Sequence, residues 1–474
     1  MLEPAYQADV VVVGAGIAGL AAAQRLTSAG VTTTVLEAAH TVGGRMATEK
    51  VDGFRLDRIG QLLSTAYPEL RRTPGLDGLA LLPFAPGVLL HSEGRHHHAG
   101  APSGVRSARG ALHAVRALAS APRSMPAPRR SMPAPRRTVN APGTSGRPAA
   151  APRTRAGAPL GTAVDQARLG AALARLAHTP AERLLARPEL PAARALAARG
   201  LPARTIDGFL RPLLAALLYD PDLTTSSRCA DLALRAFAGG RLALPEGGAE
   251  ALPEHMARSL PPGTVHTGVR VTSVATNAVT TAEHGVIRCR AVLVATDARA
   301  AAGLLPGLRV PDFHPVTVVH HTTDEPTTTG AALLLDADRG GPVAHTAQVS
   351  QVDPSRAPAG RTLVSSTVLG PPPPDLDTAV RIHLSRLYGT PTTRWETLAV
   401  HHTPEAVPAM RPPHDPRRPV RLLAGLYVCG DHRDTSTAQG ALHSGHRASA
   451  AILRDLGAGR PMHSAEPTAT AHAA

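Results

Sequence analysis

The stretch DVVVVGAGIAGLAAAQRLTSAG at residues 9–30, followed by VTTTVLE at residues 31–37, decides the fold. Strands buried on both faces read as continuous apolar runs, and the four valines at 10–13 are such a run. They enter Gly14, Ala15, Gly16 and Gly19, after which small and apolar residues recur at helical spacing until Gly30. A second β-branched run ends at Glu37, completing a βαβ unit. In this setting Gly14 permits a tight turn, Gly16 lets backbone approach a pyrophosphate, and Gly19 lets the helix pack close to the strands. The free amides of the helix start attract phosphate oxygens, helped by the helix dipole. Glu37 stands where a carboxylate accepts hydrogen bonds from an adenosine ribose. A 2′-phosphate would prefer a cation there, so an NADP site is disfavoured.

Working outward, Gly43, Gly44 and Arg45 follow Glu37. A glycine pair lets the chain pass close to a pyrophosphate, and a guanidinium makes charge-assisted hydrogen bonds to it. Near the other end, a strand-like Leu426–Cys429 leads into Gly430 and Asp431, then STAQGA at 436–441 and SGHRASAAIL at 444–453.

These motifs resemble the flavin amine oxidase and phytoene desaturase superfamily, whose signature is GxGxxG, then Glu, then GGR, and later a Gly-Asp motif. The resemblance covers about residues 8–92 and 160–457. It implies an α/β fold: an FAD-binding Rossmann-like domain with an inserted α+β substrate domain that contains a helical subdomain and a mixed sheet. It implies bound FAD held by Gly14, Ala15, Gly16, Gly19, Glu37, Gly43, Gly44 and Arg45. Asp57, Gly60 and Gln61 match the segment that crosses the flavin, although Asp57 also reads as a turn residue. Val271 matches a valine whose backbone meets adenine. Asp431 is expected at the ribityl or phosphate region, with Gly440 and Ala441 at a helix start aimed at flavin N1 and the C2 carbonyl. Amides at such a positive end stabilise an anionic reduced flavin. Covalent attachment in this family uses a cysteine upstream of the Gly-Asp strand. Cys429 lies in that strand itself, so non-covalent FAD is expected.

The residues also narrow the chemistry. Flavin monoamine oxidases carry a lysine that holds a water at flavin N5, together with an aromatic cage. Here Lys50 is the only lysine and stands just after GGR, and aromatic residues make up 2% of the chain. The expectation is therefore desaturase-like: hydride transfer from a largely apolar or amine-containing small molecule to flavin N5. In Trp395–Met410 the histidines His401 and His402 are conspicuous, and His402 is the candidate proton acceptor, against the reading of both as strand-surface residues. Arg211 is a candidate for a substrate carboxylate, against a plain helix-surface role. Two alternatives stay open: a flavin-free binding protein resembling GDP-dissociation inhibitors, and an inactive flavoprotein paralogue.

The net charge of +14 invites a nucleic-acid partner, so its location matters. Twelve arginines and no acid lie between Gly94 and Val164, which leaves the rest of the chain nearly neutral. That segment contains the tandem heptad RSMPAPR at 123–129 and 130–136. Proline at this density blocks regular structure, and no nucleic-acid partner is expected. Peripheral contact with an anionic membrane stays open, and oligomeric state is not legible. Cys229, Cys289 and Cys429 lie far apart without metal-ligand spacing, so no metal is expected. No apolar run is long enough to span a bilayer, and the first residues lack a signal-peptide pattern, which makes the cytoplasm the expected compartment.

The expected organisation divides the FAD-binding domain into three separate stretches, at 1–91, 245–305 and 415–457. Between the first two lies a helical region of the substrate domain at 92–244, with a Pro/Arg-rich insertion at 120–160. A substrate-domain sheet is expected at 306–414, and a tail at 458–474.

Overall fold

The computed structural model describes residues 8–100, 159–325 and 327–457. All of the expected insertion except its last two residues, and the whole tail, fall outside the described residues.

Val10–Val13 is completely buried or nearly so and lies in the middle of a six-stranded sheet. The order is Val265–Thr267, Thr33–Glu37, Val10–Val13, Ala291–Val294, Leu426–Val428 and Arg421–Leu423, all parallel except the last pair. Alternation sends Val10 and Val12 into one apolar layer and Val11 and Val13 into another. The first layer is covered by the helices Ile17–Ser28 and Ala438–Asp455, which pack so closely that a Cβ on Gly445 would overlap the Ala18 carbonyl oxygen. The second layer is covered by an antiparallel meander, Val271–Val274, Ala278–Thr281 and Gly285–Arg288, with helix Ala298–Leu304 beside it. Val265–Thr267 and Val271–Val274 are separate strands. Gly268, at φ +74°, turns the chain out of the large sheet and into the meander.

A seven-stranded sheet forms the second body, in the order Glu396–Pro408, Phe313–Thr323, Thr362–Leu369, Val343–Gln348, Leu334–Asp336, Val88–Ser92 and Arg95–Ala99. All its pairs are antiparallel except Leu334–Asp336 with Val88–Ser92. The boundary expected after residue 91 therefore falls inside a hairpin. Glu93 and Gly94 both take positive φ, +50° and +71°, which is the geometry of a two-residue turn. His96, His97 and His98 form the edge strand instead of opening the helical segment.

One face of this sheet carries the helices Ala163–His178, Ala192–Ala198, Arg211–Leu218 and Ser227–Gly239. The other face is closed by helix Leu376–Tyr388. Helix Arg211–Leu218 is preceded by a π-helical turn at Ile206–Leu210.

The two bodies are tied by Arg356, which is 1% exposed. Its guanidinium donates to Asp57 Oδ2 at 2.8 Å, Asp353 Oδ2 at 2.9 Å and the Pro245 carbonyl at 3.2 Å. Asp57 also accepts from Thr48 Oγ1 at 2.7 Å and the Ala249 amide at 2.8 Å. It is thus a buried hub under the cofactor cleft and does not line it.

Candidate functional site

A cleft of about 580 Å³ runs along the carboxyl ends of the parallel strands, between the two bodies. The glycine turn forms its floor. Gly14 has φ +107°, and a Cβ there would stand 3.0 Å from the Ala295 carbonyl, so the turn admits only glycine. A Cβ on Gly19 would overlap the Gly14 carbonyl, which explains why the helix sits so close without Gly19 reaching the cleft. Gly16 and Gly44 instead have open space where a side chain would go. The first amides of helix Ile17–Ser28 have no intrahelical acceptors, and no side chain caps them.

Glu37 lines the cleft and accepts from the amides of Ala15 at 2.7 Å and Ala39 at 2.9 Å, one on each carboxylate oxygen. Each oxygen keeps capacity for a further donor. Ala15 itself is buried and contributes through this bond. Val269, Arg270, Val271 and Thr272 face Glu37 across the same end of the cleft, and the Val269 amide donates to the Glu37 carbonyl at 2.8 Å.

At the other end stand Gly43, Gly44, Arg45, Gln61, Gly430, Asp431 and Ala441. Gly60, at φ +48°, turns the chain but does not line the cleft. Arg45 donates to Asp431 Oδ1 at 2.7 Å and to the Ala406 carbonyl at 2.8 Å. Burial works against its charge, but the attraction and hydrogen bond of Asp431 outweigh it, so the guanidinium pKa lies above its ordinary value. Behind Asp431, burial lowers the pKa of His432 to about 4, and neither ring nitrogen has a partner.

The expected flavin-facing amides and the expected proton acceptor are both displaced. The Gly440 amide donates to Thr437 Oγ1 at 3.2 Å and the Ala441 amide to the Thr437 carbonyl at 3.0 Å, so neither is free to meet a ligand. Thr437 caps its own helix, which leaves the amides of Ala438 and Gln439 as the uncapped ones. His402 is exposed on the edge strand, accepts from or donates to Thr317 Oγ1 at 2.8 Å, and lies outside the cleft. An edge strand with one solvated face presents that residue to water. Arg211 is likewise engaged, by Asp207 at 3.0 Å and the Pro221 carbonyl at 3.4 Å.

Sequence reasoning missed Tyr219, Ser436, Asp297, Ala406 and Val407, all of which line the cleft. Tyr219 ends helix Arg211–Leu218 in the left-handed conformation and donates to the carbonyls of Ile59 at 3.3 Å and Gly60 at 3.4 Å. Asp297 caps helix Ala298–Leu304, and its strand-Thr-Asp-helix pattern was a readable signal. Ser436 is 3% exposed and its hydroxyl has no partner.

An elongated cleft with uncapped helix starts, a cation at one end, a carboxylate at the other and an unpaired buried hydroxyl fits the donor and acceptor set of FAD. Cys429 lies beneath the cleft, with burial raising its thiol pKa to about 12. Among the described residues no cluster suited to a metal occurs and no helix is long and apolar enough to cross a membrane.

Comparison with known proteins agrees with this geometry. The family model for flavin containing amine oxidoreductases matches residues 17–453. A putrescine oxidase of Kocuria rosea is 53% identical over 68 residues, 14% of either chain. A 4,4'-diapophytoene desaturase of Staphylococcus haemolyticus is 52% identical over 48 residues, 10% of either chain. These alignments span only a small share of the curated relatives. Among solved structures, an oxidoreductase from Methanosarcina mazei superposes with TM-score 0.65 at 16% identity, covering 92% of this chain and 99% of its own. A putrescine oxidase bound to putrescine gives TM-score 0.61 at 18% identity over 95% and 100%. A cyclohexylamine oxidase from Brevibacterium oxydans gives 0.62 at 16% over 95% and 99%. The fold is shared with all three. The flavin-free binding protein is thereby set aside: the chain belongs to the flavin containing amine oxidoreductase family and is an FAD-dependent oxidoreductase.

Proposed function

We propose that this enzyme dehydrogenates a largely apolar small molecule in the manner of a desaturase, without the lysine-assisted chemistry typical of flavin amine oxidases. The observation that carries the reading is the wall of the cleft near Arg45. Met46, Ile59, Tyr219, Ala406 and Val407 line it, and Ile59, Tyr219, Ala406 and Val407 belong to one apolar cluster. The single lysine, Lys50, is 61% exposed in its side chain and pairs with Glu250 at 3.0 Å on the outer hairpin Thr48–Asp57.

When bound, FAD supplies the two-electron acceptor, at its N5. In this reading the uncapped amides at Ile17 and Ala18 hold the pyrophosphate, and Glu37 accepts from the ribose. The Gly43–Gly44 backbone, which lines the cleft, would let the phosphates approach closely. Arg45 and Asp431 would hold the ribityl or phosphate region, and the free amide of Ala438 at its helix start would stabilise the negative charge of a reduced flavin. The apolar wall excludes water and orients the C–H bond that breaks.

The test begins with the visible spectrum of the purified protein and release of FAD on denaturation. Anaerobic mixing with apolar probes such as short isoprenoids, and in parallel with putrescine and cyclohexylamine, follows. Bleaching by apolar probes alone is expected. Bleaching by the amines alone would overturn the desaturase-like reading.

A further inference from the structure

A second, smaller cavity of about 180 Å³ lies between the helical subdomain and the start of helix Ala438–Asp455. Thr437 lines both this cavity and the cofactor cleft, so the two adjoin there. Its apolar wall comes from Tyr67, Leu218, Leu232, Ala233 and Ala236, with the thiol of Cys229, and the charged Glu69, Arg72, Glu182, Arg235 and Arg417 also line it. An apolar cavity of about 150 Å³ holds one benzene molecule, so a single compact ring or short chain fits and a long polyene does not.

One side of the wall is polar in a specific way. His443 Nδ1 stands 2.9 Å from Asp434 Oδ2. Asp434 also accepts from Arg447 at 3.1 Å, on the same Oδ2, and from the Thr435 amide at 2.9 Å, so its oxygens serve as acceptors here. His443 Nδ1 must therefore be the donor, and in the neutral ring Nε2 is left as an acceptor. Nε2 has no protein partner among the described residues, and the side chain is 38% exposed, so a ligand donor there would replace water.

We propose that this cavity is a binding site for a compact molecule with an apolar body and one O–H or N–H end, which donates to His443 Nε2. The site is separate from the cofactor reading. A colourless preparation would overturn that reading, whereas labelling of Cys229 decides this one.

The experiment uses Cys229 as reporter. At pH 8, methyl methanethiosulfonate is applied to the full chain and the products are mapped by mass spectrometry. All three thiols are buried, and burial holds the Cys229 pKa far above its ordinary value, so the rate of labelling is the readout. Cys229 alone among them lines the cavity and is expected to react slowly while Cys289 and Cys429 stay unmodified. Toluene and benzyl alcohol should each protect Cys229, benzyl alcohol at about 3- to 10-fold lower concentration, the worth of one hydrogen bond. In His443→Phe that preference should vanish while toluene still protects. In Leu232→Trp, which fills the cavity, both protection and labelling should be lost. Absence of any labelling of Cys229 without probe, failure of both probes to protect it, or a preference for benzyl alcohol that survives His443→Phe would overturn the proposal.

Discussion

Arg45 and Asp431, 386 positions apart in the chain, meet through a 2.7 Å hydrogen bond at the end of the cofactor cleft. One arrives from the first glycine-rich segment and the other from the last strand. The pair therefore closes the site only when both ends of the chain are folded together.

Removing this link should loosen the cofactor. A charge-assisted hydrogen bond is worth about 1.5–3 kcal/mol, so Arg45→Met should weaken FAD retention by about 10- to 100-fold. Flavin fluorescence in the filtrate during ultrafiltration measures it. Retention equal to the parent protein would show that Arg45 does not hold the flavin.

Arg356→Met should destabilise more than any surface change. It strands the carboxylates of Asp57 and Asp353, which are 6% and 1% exposed. Breaking a buried pair by deleting one partner costs about 3–5 kcal/mol. Denaturant unfolding should show that loss, and the triple variant that also makes both aspartates Asn should recover some of it.

Gly445→Val should weaken the contact between the first and last long helices, because the new Cβ would press on the Ala18 carbonyl. Overpacking of this kind costs about 1–3 kcal/mol or more. The expected outcome is a lower thermal midpoint together with faster flavin loss, since Ala18 also lines the cleft.

Acid should destabilise the fold well above the carboxylate range. Burial lowers the pKa values of His320, His321, His345 and His432 to about 4, from the ordinary 6.5. Above pH 6.5 both folded and unfolded chains keep these rings neutral, and their contribution is fully present. As pH falls from 6.5 towards 4, the unfolded chain takes up protons that the fold refuses, so stability declines over that window. Denaturant midpoints should hold between pH 7.5 and 6.5 and fall from there to pH 5. A flat profile across that range would contradict the placement of these rings.

The cofactor end of the molecule was readable because phosphate recognition demands particular residues at fixed offsets. Gly14 needs positive φ, Gly16 needs an open backbone, and Glu37 ends the second strand, all within one local unit. The substrate end was less readable because its residues converge from distant segments. Nothing near Tyr219 in the sequence announces that its hydroxyl reaches Ile59, 160 positions away. The choice between Gly440 and Ala438 as amide donors turned on one side chain, Thr437, whose capping bond depends on the rotamer it adopts. His402 failed as a candidate because its strand lies at the sheet edge, a matter of strand order that periodicity along one segment cannot reveal.

The order of strands in the parallel sheet also has a consequence for how the protein is made. Val10–Val13 is paired on one side with Thr33–Glu37, which follows it closely in sequence, and on the other with Ala291–Val294, which is made far later. Leu426–Val428 arrives later still. The nascent chain must therefore carry an apolar strand with one unsatisfied edge until Ala291–Val294 has been made, making this βαβ unit the natural place for chaperone engagement.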